Sequence, residues 1–378
     1  MKIPFLPFLA ACGLLANAAI ARPPASEDAV KSLPGITAAD VVRLQIYLDE
    51  QNFGPGKIDG QYGGFTRKSW LRYQESQGMK PVDTFDPHTA PLAAIDPVYV
   101  SYAITPNDVA AIGVVPATLA ERAKNKSLPY TSLTELLGER FHVSVNFLTK
   151  LNAPHKIDAC KPGDQVTVPN VVPPFQIDKV VALRQYTADH EKAVQAAKAN
   201  GVPLPIPVDP LAAPGDVPAS SPATPDSADL GGKPVLRAAP ADLSRLVVTV
   251  NVAADYLEIR DGVKLVACFP ITPGSTAIPT PKGEWRVLAK TLLPEFRWDE
   301  SMLKSGIRSN NFYQLPSGPN NPVGIAWIAL NKPGIGIHGT NDPDSIGRSA
   351  SHGCIRLSNW DAFKVYGMLA AGTKVIIE

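Results

Sequence analysis

The sequence predicts a multidomain protein ending in a mainly-β domain of sandwich or barrel-like form, preceded by smaller helical and mixed modules. Three observations lead there. β-Branched runs crowd the last third of the chain, apolar residues recur at helical spacing from Thr37, and residues 201–240 hold ten prolines among Ala, Ser, Asp and Gly. A chain of 378 residues has room for two or three separate cores.

Taken in order, residues 1–21 read as an export signal. Lys2 is followed by an apolar run from Ile3 to Leu15 and a small-x-small end at Ala19-Ile20-Ala21, too short to span a bilayer. Leu9-Ala10-Ala11-Cys12 also has lipobox character, which would make Cys12 a lipidated N-terminus and a membrane attachment. In residues 33–95, Val41, Leu44 and Leu48 mark a helix that Asn52-Phe53-Gly54-Pro55-Gly56 breaks. Thr66 is the expected cap of a second helix carrying Trp70 and Tyr73 on one face and closed by Gly78.

Residues 98–172 form another module. Ser132 and Glu135 make a capping-box pattern ahead of Leu136, Leu137 and Phe141. Val145, Leu148 and Leu151 mark a further helix, and Pro162 to Pro169 reads as turn then strand, with the run from Tyr102 as its candidate partner strand. Residues 173–242 begin with a partly exposed helix through Val180, Leu183, Thr187, His190 and Val194, stopped by Gly201, and continue as the proline-rich linker. Extended chain of this kind spans about 3 Å per residue, enough to hold the last domain well away from the others.

In residues 243–378, Val247 to Val252 is a strand, and Tyr256 to Ile259, Asp261-Gly262 and Val263 to Cys268 form a hairpin. Trp285 to Leu288, Ala326 to Leu330 and Lys374 to Ile377 add strands, and a helix runs from about Trp360 to Leu369. Charge excludes some partners. With 36 Lys+Arg against 35 Asp+Glu, and Lys2 lost with the leader, the processed chain is formally neutral. Nucleic acid and anionic membrane surfaces both require a concentrated positive field. A neutral polymer suits this chain better.

Chemistry concentrates near the end. His338 closes the short alternating run Ile335-Gly336-Ile337, and Ser351-His352-Gly353-Cys354-Ile355-Arg356 follows. A thiol becomes a useful nucleophile through a nearby base or positive charge, which His338, His352 and Arg356 supply. Gly339 and Gly353 let backbone amides approach a reacting carbonyl, as an oxyanion hole requires. Arg356 offers a planar fork to a substrate carboxylate, or alternatively pairs with Asp361. His338, His352 and Cys354 are also zinc-type donors, but two of them are nearly adjacent and no acidic ligand lies in the immediate segment Ser351 to Arg356, so no metal and no cofactor is assigned. Trp298, Phe312 and Tyr313 lie in a long irregular segment that suits either a lid or, residue by residue, simple packing, with packing favoured. Three cysteines lie beyond the leader, and their odd number predicts one free thiol, for which the Ser351 to Arg356 motif nominates Cys354, while Cys160 and Cys268 are either bridged or separately buried.

His338-Gly339-Thr340, ten residues and then Ser351-His352-Gly353-Cys354-Ile355-Arg356-Leu357 resembles the signature of the L,D-transpeptidase, or YkuD, catalytic domain of bacterial cell-wall enzymes. The likeness continues upstream through Thr280-Pro281-Lys282-Gly283 and Gly318-Pro319-Asn320-Asn321-Pro322-Val323-Gly324, and covers residues 243–378. Leu44-Gln45, Phe53 to Gly56, Ile58-Asp59-Gly60, Gly63, Thr66 and Tyr73-Gln74 resemble the three-helix peptidoglycan-binding domain. Phe141 to Pro169 resembles the second half of a βααβ LysM module, with Asn107-Asp108 where that family has a glycine-aspartate turn.

The resemblance implies Cys354 as nucleophile, His338 as base, and Ser351, His352, Gly353, Arg356 and Gly339 as oxyanion or substrate-side residues. It also implies a periplasmic or wall location, peptidoglycan as partner, and 3-3 cross-linking through a thioester, with another stem or a protein amine as acceptor. Water as acceptor would give an L,D-carboxypeptidase, and an inert thiol a wall-binding scaffold. Papain-like hydrolases fit less well, because there the cysteine precedes the histidine.

Overall fold

The computed structural model describes residues 33–200 and 243–378; the expected leader, Cys12 and the proline-rich linker lie outside them. The first module opens with helix α1 (Ala38–Glu50), where the Thr37 hydroxyl and the Asp40 carboxylate cap each other's backbone amides in a full capping box. Helix α2 (Gly64–Ser76) starts from Gly63. Thr66 is therefore not its cap. That side chain is buried inside the helix and accepts from Gln45 Nε2 at 3.1 Å. A short α3 (Ala90–Ala93) completes the module. Trp70 and Tyr73 stack at 5.8 Å against its core, filling it.

In the second module, β1 (Tyr99–Ala103) pairs antiparallel with β2 (Gln165–Pro169), with Tyr99 opposite Pro169 and Ala103 opposite Gln165. Between them come α4 (Pro106–Ala110), α5 (Leu119–Arg122), α6 (Leu133–Arg140) and α7 (Val145–Leu151). This is a βααβ unit with α4 and α5 inserted. Ser132 does cap α6 by accepting from Glu135 N, but the reciprocal half of the expected box is displaced by one residue, because Glu135 Oε2 accepts from Thr131 N at 2.8 Å. Helix α8 (Ile177–Asn200) follows and buries Val180 in the core of the last domain.

That domain is mainly β. Its strands are β3 (Leu246–Asn251), β4 (Tyr256–Asp261), β5 (Lys264–Pro270), β6 (Gly283–Leu292), the small pair β7 (Phe296–Trp298) and β8 (Tyr313–Leu315), β9 (Ala326–Leu330), β10 (Gly336–His338), β11 (Ile355–Arg356) and β12 (Lys374–Ile377). Two helices join them, α9 (Glu300–Ser305) between β7 and β8, and α10 (Asn359–Met368) before β12. Eight strands make one sheet in the order β11-β10-β9-β6-β12-β3-β4-β5.

That order by itself is open, with β5 and β11 at opposite edges. Two residues past β5, however, Thr272 exchanges both backbone bonds with Arg356 of β11, at 2.9 and 3.0 Å. The sheet therefore curls until its edges meet at this end, a barrel-like form reached without a full closing strand pair. Val248, Val250, Leu257, Ile259, Ile328, Ile337 and Val375 fill the inside, capped by Trp360 and Val365 of α10.

The modules are docked, not held apart as the linker composition suggests. Beyond α1, Gly54 N donates to Cys268 O at 2.8 Å and Cys268 N to Asn52 O at 2.9 Å, so this stretch pairs with the exposed edge of β5. Fully buried Phe53 shares a core with Tyr256, Leu265 and Cys268 of the sheet. Cys160, Cys268 and Cys354 are all free thiols.

Candidate functional site

The site lies where β10 and β11 run parallel, with Ile337 opposite Ile355 and His338 opposite Arg356. Cys354 stands immediately ahead of β11, and its thiol interacts with the backbone of Gly336, the first residue of β10, on the strand that carries His338. β11 is gripped from its other side by residues 272–275, through the Thr272 pairing, Ser351 N to Pro273 O at 2.8 Å and Ser275 N to Ser351 O at 3.0 Å. The thiol thus sits at the mouth of a rigid strand, not on a free loop.

His338 is buried. Its Nδ1 lies 2.6 Å from the Gly339 carbonyl, a partner that only an N–H can satisfy, so Nε2 is left with the lone pair. Trp327, directly opposite on β9, stacks on the ring at 5.2 Å and 20°. Burial, with a further push from the Arg356 charge, overrides the Gly339 bond and brings the imidazole down to about 4. The ring is a neutral base at physiological pH.

Cys354 is partly exposed, with its Sγ 3.4 Å from the Gly334 carbonyl. Burial pushes its thiol up to about 11, against the opposing effect of a Gly336 amide bond and the Arg356 charge. The electropositive neighbourhood read from the sequence is present, but desolvation outweighs it. The resting pair is thiol and imidazole.

The remaining expected residues divide by what they touch. Ser351 is buried and donates to the Cys354 carbonyl at 2.5 Å, which shapes the turn from within. His352 keeps much of its surface in solvent next to Cys354 in the chain, and partial desolvation of its ring, followed by the Arg356 charge, lowers its pKa. Gly353 has φ +98°, a left-handed conformation that suits glycine. Among the described residues, the Gly353 and Cys354 amides make no hydrogen bond to loop or turn backbone. Gly339 differs from the expectation of a substrate-side amide, because its N–H already donates to Ala326 O at 3.2 Å and its carbonyl holds His338.

Arg356 donates to Ser349 Oγ and, among the described residues, keeps a buried Nε without a hydrogen-bond partner. The alternative pairing with Asp361 does not form, since that carboxylate instead accepts from Ser358 Oγ at 2.8 Å. The irregular segment expected as a lid is the β7–α9–β8 excursion. Asp299 caps α9, and the Arg297 guanidinium covers the Phe312 ring at 3.5 Å. A groove of about 290 Å³ lies nearby between the modules, lined by Lys57, Lys150 and Arg348 among others, but neither Cys354 nor His338 lines it.

Two residues of this frame carried no sequence signal of a role. Asn359 is fully buried under Gly339, whose Cβ, if present, would lie 2.3 Å from Asn359 Oδ1. Trp327 was legible only as a strand residue.

The L,D-transpeptidase catalytic domain, YkuD, matches residues 245–377. Among curated proteins, the chain is 32% identical over 133 residues to "Putative L,D-transpeptidase YkuD" of Bacillus licheniformis, covering 35% of this chain and 64% of that protein. It is 30% identical over 131 residues to the protein of the same name in Bacillus subtilis, covering 35% and 65%. "Putative L,D-transpeptidase YqjB" of Bacillus subtilis is 31% identical over 135 residues, covering 34% of this chain and 69% of that protein. The chain thus spans a little under two thirds of the length of the first two relatives, and all three matches cover about a third of it.

Proposed function

We propose, from the premise that the chain belongs to the L,D-transpeptidase family, that it cleaves and re-forms peptide bonds in peptidoglycan stems through Cys354. The observation that carries this reading is the parallel pairing that sets His338 opposite Arg356, with Cys354 immediately ahead of β11 and the Arg356 charge felt by both the thiol and the imidazole.

Because the thiol is protonated at rest, attack and deprotonation are coupled. Sγ adds to the carbonyl of the third stem residue while its proton passes to His338 Nε2, and the Gly339 carbonyl supports the imidazolium that forms. The open amides of Gly353 and Cys354 are the donors for the tetrahedral oxyanion. D-Alanine then leaves with the proton from His338, giving a thioester. An acceptor amine attacks, gives its proton to His338, and Sγ departs as the thiol is restored. Arg356 orients a stem carboxylate, and His352 borders the entry. The reaction needs no cofactor.

The finer reading is a 3-3 cross-link, with a stem amine as acceptor, and peptidoglycan contacts from residues 33–95 and 98–172. Export follows from residues 1–21. Purified protein and defined tetrapeptide muropeptides test it by mass spectrometry. Wild type is expected to release D-alanine and form dimers, and Cys354→Ala to do neither. Free tripeptide without dimer would identify water as acceptor, and D-alanine release by Cys354→Ala would overturn the assignment.

A further inference from the structure

We propose that Glu139, supplied by the second module, is a positioning residue for His338, acting through Asn359 and Gly339. This rests on the reading of His338 as the base, and extends it to a part of the chain outside the catalytic sheet. Glu139 lies near the end of α6, buried. Its Oε2 accepts from Asn359 Nδ2 at 2.7 Å, and its Oε1 from the Tyr130 hydroxyl at 2.5 Å. Both carboxylate oxygens are thereby committed.

Asn359 passes the constraint on. Its Oδ1 accepts from Ile325 N at 3.2 Å and is pressed against Gly324 and Gly339, where a Cβ would lie 2.0 and 2.3 Å away. An amide has one acceptor end and one donor end. Glu139 at 2.7 Å, helped by the more distant Pro319 carbonyl at 3.4 Å, requires the donor end and Ile325 the acceptor end, so the carboxylate is the stronger of the two groups that fix which way the amide faces. Without Glu139 that discrimination weakens, and a flipped amide would set Nδ2 against the Ile325 N–H and crowd Gly339. Gly339 O is the atom that holds His338 Nδ1 at 2.6 Å.

The same module grips the frame at a second place. Leu128 N donates to Ser317 O at 2.9 Å, Asn320 N to Leu128 O at 3.1 Å, and Asn320 Nδ2 to Pro129 O at 2.7 Å and Glu135 Oε1 at 2.6 Å. Gly318, at φ +144°, approaches so closely that a Cβ would lie 2.2 Å from Leu128 O. Segment 317–321 is thus built against residues 128–135, and the second module belongs to the catalytic frame.

The test uses the full chain as wild type, Glu139→Ala, Glu139→Gln and Asn359→Asp. Turnover of a tetrapeptide donor gives kcat and KM, and ¹⁵N-histidine NMR reports the His338 tautomer without substrate. Glu139→Ala should lower kcat about 10-fold with KM within about twofold, since a misplaced base slows the chemical step more than binding. It should also lose the single Nδ1–H tautomer. Glu139→Gln should recover both, because its carbonyl still accepts from Asn359. Asn359→Asp keeps the volume but replaces the amide's distinct donor and acceptor ends with two equivalent oxygens that share a proton with Glu139, so the orientation is no longer enforced and the variant should match the Glu139→Ala loss; it decides the matter if Glu139→Ala does not fold. An unchanged kcat and tautomer in a folded Glu139→Ala or Asn359→Asp, or a Glu139→Gln as impaired as Glu139→Ala, would overturn the role. If wild type itself released no D-alanine, the functional reading would fail while the tautomer measurement still decided this one.

Discussion

At the level of single residues, the site is set by desolvation acting on both members of the pair. Burial holds the Cys354 thiol up at about 11 and the His338 imidazole down at about 4, so neither is charged at neutral pH. Alkylation by iodoacetamide, which needs thiolate, should therefore be about two to three orders of magnitude slower at Cys354 than at an unperturbed cysteine at pH 7. It should rise about tenfold per pH unit until the thiol ionises. Turnover should behave oppositely, staying flat through neutrality and falling only as acid protonates His338 below about pH 4. Peptide mapping across a pH series separates Cys354 from the other thiols, and fast alkylation at pH 6 would indicate a preformed thiolate. The reacting groups were legible in the sequence because they lie within nineteen residues, His338 to Arg356. Asn359 and Glu139 were not, because their contact spans 220 residues and neither has a local pattern that announces it.

Among the elements, legibility followed side-chain type. Runs such as Ala326-Trp327-Ile328-Ala329-Leu330 and Lys374 to Ile377 were read with the bounds that β9 and β12 have, since β-branched and apolar residues leave few alternatives. The β7–β8 pair and α9 were missed, as each is only three to six residues long and polar or aromatic in character. The docking of the first module was also illegible. Phe53 reads equally well as a local core residue, and only the structure shows it under β4 and β5, edge to face with Tyr73 at 5.5 Å. Phe53→Ala should cost about 3–5 kcal/mol of stability, the range for emptying a large buried aromatic site. Denaturant titration followed by tryptophan fluorescence measures it. A loss under 1 kcal/mol would mean the module and the sheet are not packed through this ring.

Over the whole molecule, the junction of the modules concentrates buried acids. Asp49 of α1, already paired with His142 at 2.8 Å and Lys364 at 2.9 Å, is held below the carboxylate range despite its burial. Glu50, Glu139 and Asp361 are instead raised to about 7, mainly by burial. A carboxyl with a raised folded pKa binds more protons when folded, so stability falls as pH climbs from about 4 to about 7. The Asp49 contribution, of opposite sign, is complete above about pH 4 and does not vary in this window, while His338, His142 and His352, all lowered mainly by burial, oppose the carboxyls only below about pH 6.5 and leave the fall from there to pH 8 to the three raised acids. The melting temperature should therefore be higher at pH 5.5 than at pH 8, and the reverse order in a thermal scan would contradict these assignments. The position of β12 carries a different consequence. Residues 374–377 lie farther along the chain than every other strand, yet they stand mid-sheet, parallel to β3 on one side and antiparallel to β6 on the other. Until they emerge from the ribosome, the half bearing the thiol and the half bearing the first module lack their continuous strand ladder and can meet only through the short pairing of residues 272–275 with Ser351 and Arg356. Synthesis order thus delays assembly of the nucleophile's scaffold, and a nonsense change a few codons before position 374 would split the domain as surely as one placed in its middle.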